Sequence, residues 1–482
     1  MRICFQAIFY KTVFFQALAA RLEESGHDIY WISTSGKWVD WLIDRGVDQS
    51  RILLLQRRAL CRSDAGQGQS AELVTRIETE YGLPLKAVYY MDRVIRTWPW
   101  EKARAYMTGV AGEIDRFLGA HDIEVVLGEA SWAHEILCAA VCRIRQTPYY
   151  QPGTARIPSD RFLFFENHLQ TEYQSFEGHK VNDVVLRQAD EVREKVIAGL
   201  KPNYWYWNNK IPAVDAGFLR TIQTKVHEAS VEARSDATVK SLKYHLKHQR
   251  QYLKPMRYSS IKLRSVFQQP VRGEKYVLYT LHKQPEASID VYGAEHSDQL
   301  HLIRQTARHL GADTWLYVKE HSNSLGDRTR RELKQITRIP GVRLIDPHCD
   351  VHELIRGAEA VLTVSGTVAF EAALYGKPAG TFSRMYFSGL SSIRHIRDYA
   401  EVESLIGVAK TEAGWTDADR YTLAHIIANS FEGVIGDPLA TPVCMLEENI
   451  KNVTNGIECL CNELARKKPT AKSAEPEGAT VA

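Results

Sequence analysis

Strand-like apolar runs alternate with helical patterns at both ends of this chain. That alternation limits the fold more than any other feature, because it requires a parallel, doubly wound sheet. Met1–Phe9 reads as a first strand, Phe15–Ser25 as a helix ending at Gly26, and Asp28–Ile32 as a second strand. A helix over Trp38–Gly46 and a strand over Arg51–Leu55 follow, then a strand over Glu124–Gly128, a helix over Ala133–Gln146 and a strand entry at Thr147–Tyr150. The rhythm returns at Glu274, with strands over Lys275–Leu281, Thr314–Val318, Val342–Ile345, Ala360–Val364 and Pro378–Phe382, and helices between them.

The middle is different. Residues 181–273 read as helical and rich in Lys and Arg, and no acid occurs from Ala237 to Gly273. The expected fold is therefore α/β, with two Rossmann-like domains facing a cleft and a basic helical insertion between them. Expected boundaries are 1–180, the insertion at 181–273, a second domain at 274–435, helices at 436–466 and a disordered tail at 467–482, rich in Pro, Ala, Lys and Glu.

A chain of 482 residues is too long for one core. A net charge of +3 is too small to imply a nucleic-acid partner. No apolar run reaches the roughly 18 residues of a membrane span, and the N-terminus has no cleavage pattern. The expected location is cytoplasmic, with attachment at the inner face of the inner membrane as an extension. The eight cysteines lack zinc-site spacing, so reduced thiols and no metal are expected. Asp417-Ala418-Asp419 follows Thr416 at a helix start, where the dipole accounts for the acids.

In open α/β sheets ligands bind beyond the carboxyl ends of the strands. Four strand ends of the second domain carry polar clusters there: His282-Lys283-Gln284-Pro285-Glu286, Lys319-Glu320-His321-Ser322, Asp346-Pro347-His348, and Ser365-Gly366-Thr367 with Glu371. Singly, each is explained by capping or solvation. Together on one sheet edge they suit a phosphate or pyrophosphate. Amides at the helix start after Ser365-Gly366-Thr367 bind an anion, the two hydroxyls add donors, and Gly366 permits close approach. Lys283, Lys319 and His321 would neutralise phosphate, and Glu371 would accept from ribose hydroxyls. No GxxxxGK[ST] occurs, and no GxGxxG follows either first strand, so NAD and FAD are disfavoured.

Tyr276–Ser288, Asp298-Gln299-Leu300, Leu316–His321 and Val364–Pro378 occur in one order. In this order they resemble the bacterial capsule polysaccharide biosynthesis family, which includes Kdo-transferase-like glycosyltransferases of two-Rossmann GT-B type. The resemblance covers about 110 residues. It implies a transferase with its nucleotide-sugar donor, CMP-Kdo being one candidate, in the C-terminal domain and its acceptor mostly in the N-terminal domain. Donor binding would fall on Lys283, Gln284, Glu286, Lys319, Glu320, Ser365, Gly366, Thr367 and Glu371. The family's His-Pro element falls on His321-Ser322, where the proline is replaced. No cofactor beyond the nucleotide-sugar co-substrate is implied.

Bond-making groups are expected from across the cleft and from the His282 and His321 loops. Glu129, after the Val125-Val126-Leu127 run, is placed to deprotonate an acceptor hydroxyl. Its alternative is a helix cap. Arg156 and Arg161 suit a carboxylate or phosphate held by two guanidinium groups, or else a solvated loop. The aromatic clusters Trp98-Pro99-Trp100 and Tyr204–Trp207 would either stack on sugars or pack. The basic 237–273 segment would face anionic lipid or an acidic, lipid-linked glycan, or be a solvated helical face. Three functions remain in view: a glycosyltransferase building a surface polysaccharide, a sugar-nucleotide epimerase or polyol-phosphate polymerase, and a non-catalytic capsule assembly or export protein.

Overall fold

A computed structural model describes residues 1–61, 68–200, 216–247, 254, 257, 260–408 and 414–467. Among the described residues, thirteen strands form two sheets. The first holds β1 (Arg2–Ala7), β2 (Asp28–Ser33), β3 (Ile52–Leu54), β4 (Val125–Leu127), β5 (Tyr149–Thr154), β6 (Arg161–Phe165) and β13 (Phe431–Glu432). Its spatial order is β13-β6-β5-β4-β1-β2-β3. The second holds β7 (Lys275–Thr280), β8 (Thr314–Lys319), β9 (Val342–Ile345), β10 (Ala360–Thr363), β11 (Ala379–Thr381) and β12 (Ile393–His395), in the order β12-β11-β10-β7-β8-β9.

Renumbered within each sheet, both begin 3-2-1-4-5-6, the doubly wound order with a crevice between its first and fourth strands. β1 pairs in parallel with β2 and β4, and β7 with β8 and β10. β6 and β13 are antiparallel additions to the first sheet. The two-Rossmann architecture expected from the alternation is present.

Burial on both faces explains why the central strands read as continuous apolar runs. One face of the first sheet packs Phe5, Phe14, Phe15 and Leu18 against Ile450, Val453, Ile457 and Leu460. The last four lie on the helix Glu447–Lys467, so the chain's C-terminal helix returns to the N-terminal sheet. The other face is covered by the helices Trp100–Ala120 and Ala133–Arg145. The β5–β6 ribbon packs Leu163 and Phe165 with Phe370 and Tyr386 of the second domain, and the Tyr386 amide donates to the Gln170 carbonyl at 3.0 Å. The two domains thus share a packed floor beneath the cleft.

Helix starts follow local capping chemistry. Asp298 caps Gln299–Arg308, Asp350 caps Val351–Gly357, and Thr329 with Glu332 forms a capping box. Asp419 accepts from Thr416 and from both the amide and hydroxyl of Ser391, at 2.6 and 2.7 Å for Ser391, so the Asp417-x-Asp419 pair serves the fold. Trp98 is buried with its ring edge-on to Tyr106 at 5.5 Å, which assigns the 98–100 cluster to packing. The 204–207 cluster and the 468–482 tail lie outside the described residues. Among the described residues no helix is long and apolar enough to cross a membrane.

Candidate functional site

The loops after β7 and β10 meet at the switch point of the second sheet. His282 is buried there, and its Nε2 lies 3.1 Å from Thr363 Oγ1. The same nitrogen accepts the Ser365 amide at 3.3 Å, while Thr363 Oγ1 accepts the Gly366 amide at 3.2 Å. An amide donates to Nε2, so the ring proton sits on Nδ1. Burial holds the imidazole neutral, down to about 3, with His321, Arg156 and Arg328 adding to the effect. The ring expected to make bonds is instead engaged in shaping the Ser-Gly-Thr turn. Gly366 is required at that turn: a Cβ there would lie 2.6 Å from Thr363 Oγ1.

The turn opens the helix Thr367–Leu374, whose N-cap Gly366 supplies no side-chain cap. Its first amides and the half-buried Thr367 are therefore open to an anion. The Ser365 hydroxyl is not, because it donates to the Ser288 carbonyl at 2.5 Å. One helical turn on, Glu371 is half-buried, and its carboxyl is pushed up to about 7 by burial and then by Asp350.

Cations converge from β8 and its neighbours. Lys319 is buried at the strand end, with Nζ 3.0 Å from the Pro347 carbonyl; burial lowers its pKa. Glu320 is buried against Arg328 and accepts the His321 amide at 2.9 Å, and Arg328 donates to the His282 carbonyl at 2.9 Å. Glu320 thus ties two loops together and is not free to receive a sugar. His321 Nδ1 accepts the Asn323 amide at 3.1 Å, which leaves Nε2 as the protonated, donating atom. Burial, then Lys319, Lys283, Arg328 and Lys254, pushes this imidazole down to about 4. Lys283 is half-buried beside it.

Gln284 and Glu286 are exposed and complete the turn after His282. Gln284 donates to the Ser297 carbonyl at 3.2 Å, and Glu286 accepts from Ser288 at 3.0 Å. Gln299, within the quoted sequence pattern but given no role from it, clamps the His282 backbone: Oε1 accepts its amide at 2.7 Å and Nε2 donates to its carbonyl at 3.1 Å.

Across the cleft, Glu129 follows β4 at the first sheet's switch point. It pairs with Lys11, at the start of the helix after β1, and its carbonyl accepts from the Tyr149 hydroxyl at 2.6 Å. Glu135, not Glu129, caps the next helix, accepting the Ser131 and Trp132 amides at 2.7 and 3.0 Å. Burial, followed by Glu129, pushes Glu135 up to about 8. Gln151 donates to the Tyr292 hydroxyl at 3.2 Å, and Tyr292 feels Arg156, Glu129 and Glu135 electrostatically. That places the two switch points on one cleft.

The two arginines separate. Arg156 spans the domains, donating to the Ser365 carbonyl at 3.3 Å and to Gln170 Oε1 at 3.2 Å. Arg161 lies in β6 and donates to the Ser430 hydroxyl and carbonyl at 2.7 and 2.6 Å. It holds the β6–β13 edge and does not join Arg156 in a pair. Part of the basic segment also faces inward: Lys254 meets the Asn323 carbonyl at 2.6 Å and Asp327 at 3.0 Å. Lys11, Gln151, Tyr292 and Thr363 were missed as site residues because their partners lie far away in sequence, whereas Glu135 bonds to the nearby Ser131 and Trp132 and Arg328 to the nearby Glu320.

Residues 226–407, which include the whole edge from His282 to Glu371, match the model of the capsule polysaccharide biosynthesis protein family. That match spans 182 of the 482 residues. Among solved structures, the chain is similar to KpsC beta-Kdo 2,7 transferase of Thermosulfurimonas dismutans, at 11% identity over 74% of this chain and 90% of that one, with a TM-score of 0.38. The 2,4 transferase of the same organism matches at 12% identity over 69% and 86%, with a TM-score of 0.38. UDP-GlcNAc 2-epimerase of Methanocaldococcus jannaschii, solved with UDP-GlcNAc and UDP, matches at 12% identity over 89% and 98%, with a TM-score of 0.29. No curated protein sequence matches the chain.

Proposed function

We propose that the protein is a glycosyltransferase of capsule synthesis, moving a sugar from a nucleotide donor to a surface-polysaccharide acceptor. One observation carries this reading. At the switch point of the second sheet, His282 and Thr363 hold the Ser365-Gly366 turn that opens an uncapped helix, and His282 lies in the field of His321, which itself feels Lys283 and Lys319. That arrangement suits a phosphate that gains charge as the sugar departs. Gly366, Thr367 and Lys283 would contact it. Lys319 and His321 supply field and one neutral donor. Glu371 suits the ribose hydroxyls.

Glu129 serves as the base for the acceptor hydroxyl. Its Lys11 partner would hold the carboxylate in one orientation for that role. Arg156 links the acceptor-side domain to the donor turn through the Ser365 carbonyl, so closure of the cleft and donor binding are coupled. CMP-Kdo is one donor that fits; UDP- and GDP-sugars are the others to screen.

The test is a thermal-shift screen of the full chain with CMP, UDP, GDP and their sugars, followed by transfer assays with the stabilising donor. Label appearing in a polymeric product supports the transferase. A new free sugar nucleotide without an acceptor product would make the protein an epimerase.

A further inference from the structure

A second cleft of about 670 Å³ opens on the N-terminal domain, away from the donor turn. It lies between the helix Arg57–Leu60 after β3, the helix Trp100–Ala120, and the connector around 229–243. Its volume lies within the roughly 300–1,000 Å³ of ligand pockets. Arg57, Arg58, Lys102, Arg234 and Lys243 line it, and among the described residues none that line it is acidic.

The walls are built, not incidental. The Arg57 amide donates to the Ser235 carbonyl at 2.8 Å, and its guanidinium donates to the Ala233 carbonyl. Asp236, buried behind them, accepts from the Thr238 amide and hydroxyl at 2.8 and 2.7 Å. Trp98 forms an aromatic backing: the Arg57 guanidinium lies 4.1 Å from its ring and Lys102 Nζ 5.4 Å. Arg58, Lys102, Arg234 and Lys243 remain exposed.

We propose that this cleft binds an acidic stretch of the glycan acceptor, one carrying spaced carboxylates or phosphates. Five cations from three separate segments line this one cleft, more positive charge than a single phosphate would balance. Spaced charges on a chain therefore fit better than a single phosphate. The exposed Leu242 adds apolar surface suited to a sugar face. The surface is concave, which a planar lipid headgroup layer cannot enter. The proposal rests on the transferase reading for the identity of the ligand.

The probe is a carboxylated oligosaccharide, oligogalacturonate, titrated into the full chain. Its controls are a neutral maltooligosaccharide of equal length, inorganic phosphate, and phosphatidylglycerol vesicles. The variant is Arg58→Ala/Arg234→Ala/Lys243→Ala, which removes exposed charges while leaving Arg57 in its bonds. Oligogalacturonate is expected to bind more weakly as salt rises. The triple variant should lose about tenfold or more in affinity, or 1.4 kcal/mol per tenfold, with its melting temperature and nucleotide response unchanged. Equal binding of the neutral sugar, an unchanged affinity in the variant, or a variant-sensitive response to phosphate or vesicles alone would overturn the proposal. Loss of the nucleotide response in the parent protein, with variant-sensitive glycan binding retained, would remove the donor reading and leave the cleft.

Discussion

Nε2 of His282 lies 3.1 Å from Oγ1 of Thr363, and that hydroxyl also accepts the amide of Gly366. Two residues 81 positions apart thus shape the Ser365-Gly366 turn. Thr363→Val keeps the volume but leaves the ring nitrogen and the amide short of a partner. Urea unfolding should register a loss of about 1–3 kcal/mol, with a smaller nucleotide-induced thermal shift. A variant with wild-type stability and full nucleotide response would mean that the hydroxyl does not shape the turn.

Glu371 sets a pH dependence of the ligand-free protein. Its folded-state carboxyl sits near 7, above the ordinary 4.5, chiefly through burial. The folded state keeps a proton that the unfolded chain has lost, so stability from this group falls as pH rises between those values. Glu371→Gln should therefore be more stable than the parent at about pH 8, with the gap shrinking toward pH 4.5. Denaturant titrations at the two pH values measure this. A variant less stable at the higher pH would show that the carboxylate is stabilised.

His134 works with the opposite sign. It is buried, its Nε2 has no hydrogen-bond partner, and burial depresses its pKa from 6.5 to about 3. Below 6.5 the unfolded chain takes up a proton that the folded state refuses. Stability therefore falls as pH drops from 6.5 toward 3, by up to about 1.4 kcal/mol per unit. His134→Leu should flatten that part of the stability curve, and an unchanged slope would mean that the ring titrates normally when folded.

Glu129→Gln should reduce transfer by roughly 10²–10⁴-fold while leaving nucleotide binding intact. Arg161→Ala should lower the melting temperature without changing the donor KM, because its bonds run to Ser430. Steady-state kinetics separates the two. Loss of donor affinity in Arg161→Ala would return that residue to the cleft.

Most of the fold was legible because its parallel strands are buried on both faces and stand out as Val-, Ile- and Leu-rich runs. What escaped had weaker local signals. The Arg161–Phe165 strand is an aromatic run entered from a turn-rich segment, and the Phe431–Glu432 strand has only two residues. The Trp100–Ala120 helix mixes Gly and charges along its length. The donor edge was legible because four polar clusters each followed a recognised strand. Individual roles were not, since the bonds that engage Ser365, His282 and Glu320 come from Ser288, Thr363 and Arg328.

Lys283 tests the central claim most directly, because it follows His282 of the proposed donor turn and is only half-buried. Nucleotide and nucleotide-sugar titrations, read as melting temperature, should be run on the parent protein and on Lys283→Ala. The account predicts that one nucleotide family stabilises the parent, by about 2.7 kcal/mol at a hundredfold excess over Kd, and that Lys283→Ala folds normally but loses most of that shift. An absence of stabilisation by any nucleotide, or an undiminished shift in Lys283→Ala, would contradict it.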